Sequence, residues 1–484
     1  MVFSNPTFLF IFLPVALIGH LALRHTRWRV SWLLLASVVF YFWGAAGQIW
    51  VIAAVALISY FAARFIGRSS SEPTPRWIVA VAIALLLTPL FLFKYFPHVE
   101  AAARIIGISV GDTTLTAEWA LPLGISFFTF HAISYVVDVS RRVLPAERSM
   151  KDYFLYLFIF PHQIAGPIVR YSEIVREIKV AERFTTDTAL YGITRFAWGL
   201  GKKVLIADQC GIIADGVFTA ASHGAQLTGP EAWIGALAYT FQIYFDFSGY
   251  SDMAIGLALL LGFRFPENFN SPYRSVSVTD FWRRWHMTLS RWFRDYVYIS
   301  LGGNRHGKFR EYAALVLTFL LTALWHGSTV NFLIWGGLHS LMIVIERLTG
   351  LRKYEGLSAL RRIGTFVFVV FSWVPFRAQG FGTTVSMWRA MVEGPLGSAT
   401  PTVLVNLTLF TVVAMAIAFV SIFGSSKTRV FGSVFGKADF GALRPWEDKQ
   451  TLVVRAAILS PILLIGTLAM VMWSNFSPFL YFQF

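Results

Sequence analysis

Long apolar runs recur along almost the whole chain, and they constrain its fold more than any other feature. A transmembrane helix needs about 20 mostly apolar residues. Runs of about this length, some of them too short to cross a bilayer, lie near 7–23, 30–44, 49–66, 77–93, 119–139, 153–169, 187–207, 231–261, 312–330, 332–348, 363–376, 402–424 and 452–473. We therefore predict roughly 11 true spans.

These runs predict helices rather than strands. Unpaired backbone groups are costly in hydrocarbon, so only helices or a closed barrel span a bilayer, and the runs lack the alternation of barrel strands. The predicted fold class is all-α: a polytopic membrane protein with re-entrant and interfacial helices. No Gly/Ser-rich or Pro-rich linker divides the sequence, which predicts one membrane domain over 1–484. The first run follows no positively charged segment, so we expect a retained helix and not a cleaved signal peptide.

Charge is scarce and mostly positive. Only 14% of residues are charged, against roughly 25% in soluble domains, and the net charge is +15. Basic residues of membrane proteins gather in cytoplasmic loops facing anionic lipid, so we expect lipid and not nucleic acid as partner. Arginines follow the first and third runs, which places the N-terminus outside: Arg24, Arg27, Arg29, Arg64, Arg68 and Arg76.

The stretch 264–310 interrupts the apolar pattern and holds many arginines and aromatic residues. A helical wheel separates two faces and predicts an interfacial amphipathic helix that Thr279 or Asp280 begins. The arginine face is expected to be cytoplasmic. One face holds Phe281, Trp285, Thr288, Leu289, Trp292 and Tyr296, and the other holds Arg283, Arg284, Arg291 and Arg294.

Two histidines are candidates for chemistry. His326 follows a long apolar run, beside a glycine that permits close backbone approach, and Thr322, Ser328 or Asn331 could orient its ring. It could equally join two helices by a hydrogen bond. His286 lies beside the boundary of the two faces described above and could reach inward, or it could anchor the helix at the interface.

Other ionisable residues favour structural roles. Asp246 and Asp252 lie within or beside an apolar run, where they could pair with arginines of 274–294 or, as a minority interpretation, act as general acids. His162 accompanies two prolines and a glycine, which predicts a kinked or re-entrant segment. His131 could pack helices or join a polar path, and stays unassigned.

The sequence lacks the motifs that are typical of several classes of enzyme. The sequence has no Gly-Lys-Ser/Thr phosphate loop, no His-Glu-x-x-His motif and no Gly-x-Ser-x-Gly elbow, and its one cysteine is Cys210. Histidine chemistry within a membrane remains. A neutral imidazole is well suited to take a proton from a hydroxyl at neutral pH, and a hydroxyl attacking a thioester gives acyl transfer.

Several motifs resemble those of the membrane-bound O-acyltransferase family. Trp325-His326-Gly327, preceded by Asp-Phe-Trp-Arg-Arg-Trp-His at 280–286, carries the likeness. It is closest to the bacterial branch that holds the membrane subunit of alginate O-acetylation and the D-alanyl transferase of teichoic acid modification. Further segments resemble that branch at 1–4, 160–170, 245–254, 268–273 and 301–305. The resemblance runs to about Arg377.

The resemblance implies a site and a mechanism. His326 matches the invariant intramembrane histidine of the family and His286 its second polar position, so a catalytic centre is expected within about 240–348. It also implies helices around a central tunnel, which a cytoplasmic acetyl-CoA or acylated carrier protein enters. We expect no tightly bound cofactor and no metal. Residues expected along the tunnel are Trp285, Trp325, Asn331 and Asp246.

The function expected from this resemblance is O-acyl transfer in a bacterial inner membrane. An acetyl or other small acyl group would move toward a periplasmic acceptor for O-acetylation of an alginate-like exopolysaccharide, with a periplasmic acetyltransferase and the polysaccharide as partners. The alternatives are a transporter or flippase for an acylated carrier, D-alanyl transfer to teichoic acid, acylation of a lipid, and a scaffold that only anchors a modifying complex.

Overall fold

The structure is a computed structural model that describes most of the chain. The described residues are 3–68, 75–96, 121–180, 185–305, 307–351, 356–397, 405–423, 460–461 and 463–471. All regular secondary structure within them is helical, which confirms the all-α fold class. The predicted run near 452–473 lies mostly outside the described residues. The chain divides into two compact units, unit 1 with residues 1–193 and 254–266 and unit 2 with residues 194–253 and 267–484.

The described residues of unit 1 form eight α-helices and parts of two more, α9 Thr186–Gly201 and α11 Gly229–Leu260. Each of these two helices contains a boundary between the units. The helices of unit 1 are α1 Leu13–Leu23, α2 Arg29–Ala45, α3 Ile49–Ile66, α4 Arg76–Leu90, α5 Ile125–Ser140, α6 Met150–Phe158, α7 Phe160–Gln163 and α8 Tyr171–Lys179, with the first part of α9 Thr186–Gly201 and the last part of α11 Gly229–Leu260.

Unit 2 holds the rest of α9 and α11 and the helices that follow them. Among the described residues, the helices α14 Lys308–His326 and α15 Val330–Leu348 pair extensively and form an antiparallel hairpin around residues 327–329. The further helices of unit 2 are α10 Asp208–Ser222, α12 Val278–Trp282, α13 Met287–Phe293, α14 Lys308–His326, α15 Val330–Leu348, α16 Ser358–Arg377, α17 Phe381–Glu393 and α18 Leu409–Phe423.

Several helical stretches suit a bilayer. Within the described residues, four have the length and the apolar composition to cross one: Arg29–Ile66, Arg76–Tyr95, Thr186–Ser222 and Ser358–Arg377. Three shorter stretches are also apolar: Phe8–Leu23, Ile125–Ser140 and Leu409–Phe423. These helices support a protein that crosses the membrane several times, while the number of about 11 spans stays a prediction.

The chain leaves helical geometry on both sides of the short helix α7, at Ile159 and at 164–170, where the sequence predicted a kinked segment. Pro161 lies in the first turn of α7, as expected for a residue without a backbone N–H. The break frees main-chain groups that need partners in an apolar setting. The hydroxyl of Ser37 on α2 accepts the N–H of Phe160 at 3.2 Å and donates to the carbonyl of Leu33 at 2.7 Å.

The rings of two histidines contact main-chain groups next to this break. Nε2 of His162 lies 2.8 Å from the carbonyl of Tyr156, and Nε2 of His131 accepts the N–H of Val169 at 3.3 Å. The two imidazole rings are buried, with centroids 4.4 Å apart. The architectural interpretation of His162 is therefore confirmed, and His131 has a similar role.

One arginine that the sequence counted as a loop charge is buried. Arg29 is only 5% exposed, and its guanidinium donates to the carbonyls of Glu177 and Ile178 at 2.6 and 3.2 Å. These carbonyls lie in the last turn of α8, which a cation stabilises. Arg24 and Arg27 therefore remain as the charges on which the predicted orientation of the first loop depends, and an N-terminus outside the cell stays a prediction.

Candidate active site

The segment that carries His286 is two short helices and not the continuous helix that the sequence predicted. α12 ends four residues before His286, and α13 begins immediately after it. His286 itself has φ 41° and ψ 53°, in the left-handed region. The N–H of Asn270 donates to the carbonyl of Arg284, and the N–H of Met287 donates to the carbonyl of Asn268, both at 2.9 Å. The prediction was wrong because these distant backbone groups compete with the helix for its hydrogen bonds.

The predicted division of faces is nevertheless confirmed. Arg283 and Arg294 are exposed, and Arg284 and Arg291 are partly exposed. Each half of the segment therefore keeps its amphipathic character. The residues predicted for the apolar face are all buried: Phe281, Trp285, Thr288, Leu289, Trp292 and Tyr296.

The start of α12 is fixed from two sides. Its N-cap is Ser277, whose hydroxyl accepts the N–H of Asp280 at 2.9 Å, so the predicted start at Thr279 or Asp280 was two to three residues late. The carboxylate of Glu346 on α15 accepts the N–H groups of Val278 and Thr279. A carboxylate at a helix N-terminus satisfies its free donors and matches its dipole. Glu346 thereby joins the segment of His286 to α15.

A second tie joins the same elements. Nδ1 of His339 on α15 accepts the indole N–H of Trp282 at 3.1 Å, because an indole nitrogen only donates. The neutral ring then carries its hydrogen on Nε2, which donates to the hydroxyl of Ser372 at 3.0 Å. Both nitrogens of His339 are thus used within the core. Since α15 also pairs with α14, it holds the segments of both candidate histidines.

His286 lies in the core of unit 2. It is 1% exposed, and its Nδ1 is 3.0 Å from Oδ1 of Asn268. Its ring packs edge-to-face with that of Phe247, with centroids 4.7 Å apart. His286 lies outside the helices that suit a membrane span, and burial lowers the pKa of its imidazole to about 3. The ring is therefore neutral at neutral pH, which is the form that accepts a proton.

His326 is the last residue of α14, and aromatic side chains surround it. It is 5% exposed. The ring centroids of Trp325, Trp335 and Phe376 lie 4.5, 5.2 and 4.9 Å from its own in edge-to-face contacts, and Phe332 stacks at 6.4 Å. Such surroundings exclude bulk water. A water-poor site of this kind favours acyl transfer over hydrolysis of a thioester.

The glycine after His326 is required by packing. A Cβ atom on Gly327 would lie 2.1 Å from a ring carbon of Phe332. The backbone of Gly327 is extended, so the close approach alone excludes a side chain. The predicted close backbone approach at this position is confirmed.

Two of the residues predicted to orient His326 use their donors elsewhere. Thr322 donates its hydroxyl hydrogen to the carbonyl of Thr318 at 2.8 Å. Asn331 donates its amide to the carbonyl of Ala378 at 2.9 Å. Asn331 therefore ties the start of α15 to the end of α16.

Trp325 brings the two candidate histidines together. Its ring centroid is 4.5 Å from that of His326 and 6.3 Å from that of His286. Trp285 lies deeper among aromatic residues, with Trp373 and Phe269 each at 5.1 Å. The site predicted from sequence thus has His286 and His326 around one indole, while a tunnel lined by these residues stays a prediction.

The prediction for Asp252 named the wrong basic partners. Asp252 accepts from Arg195 at 2.8 Å and from Lys202 at 2.6 Å, not from an arginine of 274–294. Arg195 also binds Glu267 at 2.5 Å. The basic residues come from α9 and the turn after it, which the sequence described only as an apolar run. The predicted structural role of the carboxylate is consistent with this buried network.

Asp246 belongs to a neighbouring network. Its carboxylate is 3.2 Å from Nζ of Lys203, which also binds Asp208 at 2.5 Å. Lys203 lies in the π-helical turn Lys202–Ala207, whose extra residue per turn sets the direction of these side chains. Removing one partner of such a buried pair leaves an uncompensated charge. A contribution of Asp246 to substrate binding stays a prediction.

Sequence reasoning missed Asn268, His339 and Glu346. Asn268 lies in 268–273, one of the segments that resemble the bacterial branch of the family. It is 18 residues away from His286, and no periodic pattern joins the two positions. His339 lies in an apolar run, as His326 does. The search for histidines within apolar runs, which identified His326, could therefore have identified His339 as well. Within the described residues, no group of three or more His, Cys, Asp or Glu side chains is placed to hold a metal ion.

The apolar helices make this chain a polytopic membrane protein, and two of its buried imidazoles lie beside one tryptophan. The chain belongs to the membrane-bound O-acyltransferase family, whose sequence model matches residues 37–388. It is therefore an O-acyltransferase of the membrane.

Individual relatives extend this comparison over the full chain. A protein named probable alginate O-acetylase from Pseudomonas putida is 39% identical, with 100% of both chains covered. A protein of the same name from Pseudomonas aeruginosa is 44% identical over 81% of this chain and 75% of the relative. A peptidoglycan O-acetyltransferase from Helicobacter pylori is 34% identical over 81% of this chain and 80% of the relative.

Proposed function

We propose that this protein moves an acetyl group from a cytoplasmic thioester toward a periplasmic acceptor, for O-acetylation of an alginate-like exopolysaccharide in a bacterial inner membrane. The observation that carries the proposal is the enclosure of His326 by aromatic rings, with the rings of both His326 and His286 close to that of Trp325. The choice of polymer is supported by the similarity to probable alginate O-acetylases over the full chain.

In this proposal the imidazole of His326 takes the proton of the acceptor hydroxyl. The hydroxyl oxygen attacks the thioester carbonyl, the carbon–sulfur bond breaks, and the products are an ester and a thiol. A positioned base contributes about 10²- to 10⁴-fold to such a reaction. His286 takes part either as a proton relay or by holding the donor carbonyl.

The donor in this proposal is acetyl-CoA or an acylated carrier protein, and no tightly bound cofactor takes part. Both donors carry a long, thin phosphopantetheine arm, which fits a narrow passage lined by aromatic side chains such as Trp285 and Trp325. The acceptor is a periplasmic acetyltransferase that passes the group on, or the polysaccharide itself.

The test compares His326→Ala with a histidine substitution away from the core. His25 is exposed, so His25→Ala is the matched control. We expect the surface polymer of His326→Ala cells to lose its acetyl groups, measured by mass analysis, while His25→Ala and wild-type cells keep them. Membrane levels of all three proteins are measured in parallel.

The polymer analysis and a transport assay on the purified protein separate the other functions. Normal polymer acetylation in His326→Ala cells would contradict the catalytic role of this residue. Transport of a labelled acyl donor by the purified protein, without any new ester bond, would favour a transporter. D-alanine esters in place of acetate on the polymer would redirect the proposal to teichoic acid modification.

A further inference from the structure

The main chain fixes the orientation of the Asn268 amide. Its Oδ1 accepts the backbone N–H of Thr288 at 3.4 Å and the Thr288 hydroxyl at 2.9 Å, while Nδ2 donates to the hydroxyl of Ser251 at 3.2 Å. A backbone N–H only donates, so the amide atom that faces it is the carbonyl oxygen. The oxygen and nitrogen of this side chain are thereby assigned by a group with no choice of role.

This orientation determines the tautomer of His286. Nδ1 of His286 lies 3.0 Å from the same oxygen of Asn268. A carbonyl oxygen accepts and does not donate, so Nδ1 carries a hydrogen. A neutral imidazole has a single N–H, and burial keeps this ring neutral at ordinary pH. Nε2 therefore carries the lone pair.

Asn268 holds the backbone of His286 as well as its ring. The carbonyl of Asn268 accepts the N–H of Met287 at 2.9 Å. His286 has φ 41°, a backbone conformation that residues other than glycine rarely adopt. One residue thus fixes both the direction and the protonation pattern of the imidazole.

We propose that Asn268 is a positioning residue that fixes His286 with its hydrogen on Nδ1, so that Nε2 receives a proton during acyl transfer. This inference rests on the proposed function and decides between its two roles for His286. A lone pair on Nε2 can accept a proton, but it cannot donate a hydrogen bond to the carbonyl group of the acyl donor. The hydroxyl proton passes through the imidazoles to the leaving sulfur as the ester bond forms and the carbon–sulfur bond breaks, which yields an ester and a free thiol.

The kinetic test uses membrane vesicles from cells that make the polymer, supplied with acetyl-CoA labelled in its acetyl group. Asn268→Ala removes the acceptor of Nδ1–H, and we expect the initial rate to fall by about 100-fold. Asn268→Asp keeps an oxygen acceptor and adds a negative charge that raises the imidazole pKa. We expect it to retain more activity than Asn268→Ala, with the acid limb of the pH profile moved to higher pH.

Ser251→Ala is the matched control, because it removes a partner of the Asn268 amide nitrogen and leaves the oxygen on His286. Its acid limb is expected to coincide with that of the wild type. An unmoved acid limb in Asn268→Asp, or an Asn268→Ala protein of normal rate, would overturn the inference.

A spectroscopic measurement tests the tautomer without activity. Purified protein with ¹⁵N-labelled histidine gives the signals of His286, assigned by their loss in His286→Gln. We expect a protonated Nδ1 in the wild type and a mixture of tautomers in Asn268→Ala. A protonated Nε2 in the wild type would refute the positioning role. Wild-type vesicles without any acyl transfer would instead refute the proposed function, and the nitrogen spectra would still decide the tautomer.

Discussion

Buried histidines of unit 2 differ in what their ring nitrogens contact. His339 accepts from Trp282 and donates to Ser372, so both of its nitrogens have fixed structural partners. Nδ1 of His286 lies against an asparagine oxygen, and aromatic rings enclose His326. The same residue type therefore serves packing at one position, and we propose that it serves chemistry at the other two.

This difference makes His339 a test of structural against catalytic roles. His339→Ala leaves a cavity and removes the partners of Trp282 and Ser372, which is expected to cost about 2 to 4 kcal/mol of stability. We expect a lower midpoint of thermal unfolding in detergent, with an unchanged pH profile of acyl transfer in the protein that remains folded. The control is again His25→Ala, which should unfold as the wild type does. A displaced pH profile in His339→Ala would contradict a purely structural role.

The α14–α15 hairpin depends on one of two adjacent glycines. A Cβ on Gly336 would lie 2.7 Å from Cβ of Ala323 and 2.9 Å from the carbonyl of Phe319, whereas a Cβ on Gly337 would meet nothing within 4 Å. Gly336→Ala is therefore expected to separate the two helices and to lower thermal stability by about 1 to 3 kcal/mol, with a loss of acyl transfer.

The neighbouring substitution supplies the control. Gly337→Ala should be neutral or slightly stabilising, because alanine favours a helix over glycine by about 1 kcal/mol. Thermal unfolding of the two variants is compared in the same detergent. Equal stability of Gly336→Ala and Gly337→Ala would show that the two helices do not pack as closely as described.

Element boundaries could be predicted where the apolar pattern alone decides them. The run predicted at 49–66 is α3, Ile49–Ile66, and the run predicted at 30–44 lies within α2. The break at His286 could not be predicted, because hydrogen bonds from Asn268 and Asn270 create it from a distant part of the sequence. Both candidate histidines were identified from sequence, but their partners depend on contacts between elements that no local pattern records.

At the scale of the whole molecule, acid stability depends on a carboxylate outside the membrane helices. Glu147 accepts from Lys179 at 2.8 Å, from Tyr171 at 2.7 Å and from the N–H of Ser149 at 2.9 Å. Burial raises the pKa of Glu147, but these donors outweigh it and lower the pKa to about 2, from an ordinary value of 4.5. The ionised form is therefore stabilised by folding.

The sign of the pH dependence follows from this lowered pKa. The contribution of Glu147 is fully present above about pH 4.5 and is lost as the pH falls toward 2. Glu147→Gln is expected to be less stable at pH 7 by about 1 to 2 kcal/mol and to lose less stability than the wild type between pH 5 and 3. Thermal unfolding across this pH range measures the difference.

The matched control is Glu393→Gln, because Glu393 is 73% exposed and lies 3.9 Å from Arg389. An exposed pair of this kind contributes little, so its curve should coincide with that of the wild type. A Glu147→Gln curve parallel to the wild type at every pH would refute the proposed contribution of the carboxylate.

The π-helical turn at Lys202–Ala207 has a consequence for how this chain can vary. A π turn is one residue longer than an α turn, so deleting a single residue between Lys203 and Asp208 would convert it to an α turn and leave the direction of the following helix unchanged. Lys203 and Asp208 are five residues apart in the π turn; after the deletion they would be four apart and would still lie on one side of the helix. This turn therefore tolerates a change in the number of residues that the α-helices on either side do not, and alignments of related chains should show single-residue gaps here more readily than within those helices.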